Sequence, residues 1–152
     1  MTVRTLLSIT LLAALSGCLS IDAPAEFLVV REASDEIRLI TADEAKLWVR
    51  EFVDDDDGDL DFWSKALRGD LVDNRGYTLL ESRQTTDDAG RPAFEMLLEA
   101  TVAGRTQRYL VTLSVHERTL DHVVRVSEFV AEKERFDAYL DGVREAVASV
   151  RP

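Results

Sequence analysis

The sequence has few of the residues that commonly build catalytic or metal sites. Among 152 residues there is one cysteine, Cys18, and there are two histidines, His116 and His122. A single cysteine excludes a disulfide within the chain, and two histidines without a third ligand nearby make a poor zinc site. The sequence also lacks a Walker loop, a dinucleotide-binding glycine motif and a Cys-x-x-Cys pair. These absences argue against several common enzyme classes.

The sequence also lacks an apolar run of about 20 residues, the length that a bilayer-spanning helix needs. The apolar run Leu6–Ala14 is shorter; it follows a segment that carries Arg4 and precedes small residues. A positive n-region, a short apolar h-region and small residues before a cleavage site are typical of a secretory signal peptide. The sequence therefore predicts that residues 1–17 are a signal peptide.

The end of this segment, Leu15-Ser16-Gly17-Cys18, resembles the lipobox of bacterial lipoproteins. The resemblance implies cleavage before Cys18, a diacylglyceryl group on its sulfur, and acylation of the new amino terminus by a chain such as palmitate. Two or more acyl chains anchor a protein stably, whereas one chain binds a membrane only marginally. Because Leu19 and not aspartate follows the cysteine, the usual sorting rule favours the outer membrane, facing the periplasm, in an organism with two membranes. An ordinary signal peptide with an incidental cysteine is the alternative.

The chain is acidic, with 29 Asp and Glu residues against 18 Lys and Arg residues and a formal net charge of −11. Such a charge repels nucleic acid and anionic lipid headgroups, so nucleic acid is not an expected partner. The length suits one domain. We therefore expect a short lipidated tether at residues 18–25 and a single domain at residues 26–150.

The first half of the domain is predicted to contain a hairpin followed by two helices. Residues 26–31 and 37–40 are short apolar runs around a polar turn. Residues 41–44 match a capping box, and apolar residues then recur at the helical positions Ala45, Trp48, Val49 and Phe52. A second short helix is expected over residues 60–68, so both tryptophans are predicted to pack in helix cores.

The second half is more regular and predicts four strands and a closing helix. Apolar and polar residues alternate in four segments, at 77–84, 94–102, 109–115 and 122–130. Apolar residues from Phe136 to Val150 then return at helical spacing. Consecutive strands with flanking helices favour an α+β fold, an antiparallel meander covered on one face by helices that include a C-terminal amphipathic helix.

This order of elements resembles the PsbP-like fold, which is seen in the extrinsic photosystem II subunit and in DcrB-type bacterial lipoproteins. The resemblance rests on Arg75-Gly76-Tyr77 before a strand, Gly90 between strands, Phe136 at the start of the last helix, and Ala148-Ser149-Val150 at its end. It covers roughly residues 26–150. It implies a non-catalytic module that binds or steadies partners, and it transfers no site residues.

A run of six carboxylates surrounds Gly58 and could hold a hard cation such as Ca²⁺. An EF-hand loop aligned on Gly58 would place Val53 and Ser64 at its first and last positions, where acidic ligands are required. The other interpretation is a solvated loop whose last residues cap the next helix. The six residues are Asp54, Asp55, Asp56, Asp57, Asp59 and Asp61.

Alternation also predicts which residues share an open face of the sheet. Arg108, Ser114 and His116 fall on one side of their strand, opposite Tyr109 and its apolar neighbours. We expect this side, with Thr112 and with Glu95, Leu97 and Glu99 of the next strand, to be a binding surface. A hydrolase built on Ser114 and His116 is less favoured, because no G-x-S-x-G elbow is present.

The sequence thus favours a membrane-anchored envelope lipoprotein that acts as a non-catalytic binding or scaffolding module. The expected partners are the membrane, through the lipid on Cys18, and an envelope protein or a small ligand. A Ca²⁺-responsive module that uses residues 54–61 is the alternative, and no cofactor other than the covalent lipid is expected.

Overall fold

The computed structural model describes residues 18–55, 58–118 and 121–152, which form one antiparallel sheet and two α-helices. The predicted signal peptide and two of the six carboxylates, Asp56 and Asp57, lie outside the described residues. Neither of the described helices is long and apolar enough to cross a membrane. The strands are β1 (Leu28–Glu32), β2 (Glu36–Ile40), β3 (Lys46–Asp54), β4 (Thr78–Thr86), β5 (Pro92–Val102), β6 (Arg105–Arg118) and β7 (Asp121–Glu132). The helices are α1 (Leu60–Arg68), which continues into a π-helical turn (Gly69–Asn74), and α2 (Lys133–Ala148).

The sheet consists of two meanders joined side by side, in the strand order β1-β2-β3-β7-β6-β5-β4. The first meander, β1 to β3, ends in the middle of the sheet. The chain then passes through α1 and the π-helical turn to the far edge, where β4 begins the second meander. The predicted α+β class, the antiparallel sheet and the C-terminal helix are confirmed.

The two helices pack on opposite faces of the sheet, whereas the sequence analysis placed them on one face. Helix α2 covers a core that includes Leu110, Phe129 and Phe136. Leu67 of α1 packs against a second core on the other side, around Met96 and Val111. Both faces of β5, β6 and β7 therefore contribute buried side chains. We call the side of the sheet on which Phe129 lies, and which α2 covers, the α2 face.

The predicted helix at residues 45–52 is wrong, because this segment is the strand β3. Its odd positions, Leu47 and Val49, are fully buried, while Lys46 and Arg50 are exposed, which is the two-residue period of a strand. β3 pairs with β2 on one side and with β7 on the other. Glu44 has a φ of 68°, a left-handed conformation that ends a tight turn and does not start a helix.

The expected tether, residues 18–25, lies docked on the domain. The side chain of Leu19 is 0% exposed and belongs to the core under α2. Ser20 forms a backbone bridge with Arg151, and the Asp22 amide donates to Ser149 Oγ at 2.9 Å. Arg151 also forms an ion pair with Asp22 at 2.8 Å. The chain therefore has contacts with the domain from the first residue after Cys18.

We predict that Leu19→Ala lowers the free energy of unfolding by about 2–5 kcal/mol, because it leaves a cavity in the core. Leu28→Ala is the matched control, since Leu28 is 70% exposed, and its change should stay within about 0.5 kcal/mol. Urea denaturation followed by circular dichroism measures both. Equal losses for the two variants would contradict the docking of the N-terminal segment.

Candidate functional site

The surface that the sequence analysis proposed is covered by α2. Ser114 is 7% exposed and lines a cleft with Arg144 and Val147 of that helix. Arg108 is bound by the carboxylates of Glu99 and Asp137, at 3.4 and 3.3 Å. The expectation that this face is open is therefore wrong, since alternation shows which residues share a face but not which face receives the helix.

An ion pair between Glu51 and Arg125 lies buried on this face. Arg125 donates from Nη2 and Nε to Glu51 Oε1 at 2.6 and 2.8 Å, and from Nη1 to the Val150 carbonyl at 2.7 Å. His116 Nε2 is 3.9 Å from Glu51 Oε1. Arg125 thus connects β3, β7 and the C-terminal segment.

A second cluster surrounds Glu95, which is 5% exposed. Arg144 of α2 donates to Glu95 Oε1 at 2.7 Å, and Arg83 of β4 donates to the same oxygen at 2.9 Å. The hydrogen bond to Glu95 raises the pKa of Arg144 above its usual value. The cleft beside this cluster measures about 80 Å³, whereas pockets for organic ligands measure about 300–1,000 Å³. The arrangement holds α2 to the sheet and leaves room for a few water molecules.

The residues considered for hydrolysis are not arranged as a nucleophile and its base. Ser114 and His116 lie two residues apart on β6, so their Cα atoms are about 7 Å apart. A general base acts on its nucleophile across a hydrogen bond. Instead, the His116 ring lies beside Glu51, which Arg125 already binds.

The described carboxylates of the acidic run support the start of α1. Asp54 Oδ2 accepts from the Gly58 amide and from Trp63 Nε1, each at 2.7 Å. Asp59 Oδ1 accepts from the Phe62 amide at 2.7 Å and caps the helix, and Asp61 pairs with Lys65 at 2.6 Å. Asp55 is exposed. Within the described residues, no group of three or more acidic, histidine or cysteine side chains could hold a metal ion.

We predict that Asp54→Ala lowers the free energy of unfolding by about 1–3 kcal/mol, because the Trp63 indole and the Gly58 amide lose their acceptor. Asp61→Ala is the control, since its exposed pair with Lys65 contributes only about 0–1 kcal/mol. Thermal melts with and without Ca²⁺ measure both. If Ca²⁺ raises the melting temperature of the unmodified protein but not that of Asp54→Ala, the loop holds a cation and its carboxylates are more than helix supports.

We predict that Arg125→Ala destabilises the protein by about 3–5 kcal/mol, because it removes the guanidinium that donates two hydrogen bonds to the buried Glu51 carboxylate. The double variant Glu51→Leu, Arg125→Met should recover much of this loss, since no charge then remains buried. Arg105→Ala is the surface control, because its pair with Glu132 is exposed. If denaturant melts show equal losses of unfolding free energy for Arg125→Ala and Arg105→Ala, the buried ion pair does not stabilise the fold.

The opposite side of β3 carries an open surface that the sequence analysis missed. Trp48 lies between two guanidinium groups, with Arg38 Cζ at 4.4 Å and Arg50 Cζ at 3.9 Å from the ring centroid. Lys46 is on the same side of the strand and is exposed, as is Arg50. We call this surface, made of Arg38, Lys46, Trp48 and Arg50, the basic face.

Two hollows adjoin the basic face along the sheet. The first measures about 330 Å³ and includes Val30, Ile40, Lys46, Trp48 and Glu128 in its lining. The second measures about 270 Å³ and lies between Arg50, Phe52 and helix α1. The signal that could have revealed this surface is the alternation of Lys46, Trp48 and Arg50 with buried residues, which the helix prediction at 45–52 concealed.

Comparison with known proteins identifies the fold and no family. No family model matches the chain, and no curated protein matches it. Among solved structures, LpqN of Mycobacterium tuberculosis, described as involved in cell envelope biogenesis, aligns with a TM-score of 0.66 and 11% identity over 88% of this chain and 83% of LpqN. The Saccharomyces cerevisiae Ran-binding protein Mog1p aligns with a TM-score of 0.57 and 16% identity over 91% and 92% of the two chains. The Synechocystis PsbP protein CyanoP aligns with a TM-score of 0.55 and 13% identity over 88% and 92%.

These likenesses show the fold alone, because the identities are so low. The α+β sheet of this chain is similar to the folds of CyanoP, Mog1p and LpqN, which agrees with the resemblance to PsbP-like proteins noted in the sequence. The shared architecture hosts proteins described by different roles, so function has to be argued from the surfaces of this chain.

Proposed function

We propose that the protein is a lipid-anchored, non-catalytic module of the cell envelope that binds a partner at a membrane. The observation that carries the proposal is the position of Cys18, which ends a lipobox-like sequence and is exposed directly before the buried Leu19. In an organism with two membranes, the absence of aspartate after Cys18 favours the outer membrane and its periplasmic side.

The geometry around Cys18 suits an anchor that holds the domain close to the bilayer. Leu19 is in the core and Ser20 is bridged to Arg151, so no linker residue separates Cys18 from the folded structure. A flexible linker would let the domain move over a range that grows with the square root of its length. Lipid on Cys18 would instead hold one edge of the domain against the membrane.

A binding role is favoured over catalysis by the way polar side chains are used. Glu51, Glu95 and Arg125 are buried and engaged in internal ion pairs, and the cleft beside them is small. The larger hollows lie on the open side of β3. LpqN is described as acting in envelope biogenesis and Mog1p as binding Ran; these roles belong to those proteins, and they support an envelope or protein-binding role in the proposal for this chain.

We predict that the protein extracted from membranes begins at Cys18 and is heavier than its polypeptide by two or three acyl chains. Cys18→Ala should lose this added mass and should leave the membrane fraction, because only the cysteine sulfur can form the thioether. Intact-mass spectrometry of the two proteins, expressed in parallel in a bacterium, measures the difference.

Ser16→Ala provides the control, since alanine keeps a small residue before the cleavage site and should leave lipidation unchanged. A mature protein with an unmodified Cys18, or one cleaved at another bond, would make the chain a secreted protein without a lipid. The proposed placement at a membrane would then be withdrawn.

A further inference from the structure

We propose that the basic face binds an extended acidic segment of a partner protein, with two carboxylates about 13 Å apart and an apolar side chain between them. The proposal deepens the binding role given above and rests on it for the presence of a partner. It follows from the cations on β3, from the stacking of Trp48 and from the shape of the surrounding hollows.

Two cations of the basic face, Lys46 and Arg50, form no ion pair among the described residues, although the same side of the sheet also carries Glu36, opposite Arg50, and Glu128, opposite Trp48. Most arginines and lysines of this acidic chain are in ion pairs, for example Arg31 and Arg38 with Glu36. In the parts of the chain that the structure describes, neither Lys46 nor Arg50 forms an ion pair within 4.0 Å. Both are exposed, so an anionic group could reach them without displacing an internal partner.

Trp48 holds the neighbouring guanidinium groups in position. A guanidinium stacked on an aromatic face keeps its N–H edges available, and these edges match the two oxygens of a carboxylate. Stacking at 3.9 Å also restricts the Arg50 side chain before a ligand arrives. Less conformational entropy is then lost on binding, which favours affinity.

The spacing along β3 defines the shape of the ligand. Lys46 and Arg50 are four residues apart on one side of the strand, so their Cα atoms are separated by about 13 Å, with Trp48 midway. A second extended chain has the same repeat, so acidic residues at positions i and i+4 would meet both cations. The residue at i+2 would lie level with Trp48, beside the hollow that includes Val30 and Ile40.

The net charge of the whole chain disfavours other anionic ligands for the basic face. A net charge of −11 repels nucleic acid, a strongly anionic membrane and a second copy of this chain at long range. A short acidic segment of a partner carries only a few charges and meets this repulsion least. In addition, Leu19 packs in the core of the α2 face, on the other side of the sheet from Trp48, so the anchor does not direct the basic face towards lipid headgroups.

The test is a fluorescence anisotropy titration of the full mature protein in zwitterionic detergent. The probe is a fluorescein-labelled peptide, Gly-Glu-Thr-Leu-Thr-Glu-Gly, and the matched probe has glutamine at both glutamate positions. We expect the glutamate peptide to bind at least about tenfold more tightly than the glutamine peptide, with an affinity that falls as salt is added. Arg50→Glu and Lys46→Glu, each checked for an unchanged melting curve, should each weaken binding by at least about tenfold.

Arg68→Glu is the matched control, because Arg68 is an exposed cation of α1 that does not line either hollow. Equal losses for Arg68→Glu and Arg50→Glu would mean a general effect of charge, and equal binding of the two peptides, or none, would overturn the proposal. Displacement of the peptide by glycerol 3-phosphate at lower concentration than by unlabelled peptide would assign the face to a lipid headgroup and would also overturn it. These outcomes do not depend on the intact mass of the mature protein, which tests lipidation of Cys18. The acidic-segment proposal can therefore fail while the lipid-anchor proposal stands.

Discussion

The pairing of β3 with β7 is the constraint on which the rest of the structure depends. These two strands join the meanders, and their register runs from Lys46 opposite Val130 to Asp54 opposite His122. The chain between them includes α1 and three further strands, so the pairing closes a long loop and its entropic cost has to be met by the contacts that it creates. Pairing of β3 with β7 makes one continuous sheet whose two cores are both covered.

The same pairing separates the chemistry of β3 into two faces. Leu47, Val49 and Glu51 point towards α2, and Lys46, Trp48 and Arg50 lie on the other side. A register slip of one residue would move Glu51 out of reach of Arg125 and would bury Arg50. The buried ion pair is costly to desolvate and contributes little net stability. The pair instead raises the free energy of misaligned registers, because a slipped register would separate the Glu51 and Arg125 charges.

Local sequence patterns predict most of the second meander and both helices, because these elements have one dominant period. They do not predict β3, since Ala45, Trp48, Val49 and Phe52 fit a helix while Leu47, Val49 and Glu51 fit a strand. The choice is made by pairing with β2, the preceding strand, and with β7, which lies far along the chain. The basic face was missed for the same reason, since Lys46 and Arg50 flank Trp48 on one surface only if the segment is extended.

The position of α2 could not be predicted from periodicity, because alternation on β6 leaves either face available to the helix. Leu110 and Phe129 form an apolar half of the α2 face, and Glu95, Ser114 and Arg125 form a polar half. Helix α2 matches this division, with Phe136 and Val143 over the apolar half and Arg144 over Glu95. The polar residues that suggested a binding surface are therefore part of the helix-to-sheet contact.

This division also separates the proposed anchor from the basic face. Leu19 occupies the apolar half of the α2 face, so the docked N-terminal segment and α2 together close one side of the sheet. The stacked Trp48 lies on the other side, where α1 reaches β5 and β6 and leaves Lys46 and Arg50 exposed. A partner bound there would not compete with the packing of the anchor segment. The proposed attachment and the proposed recognition would then act at the same time on a single small domain, because they use opposite faces of the sheet.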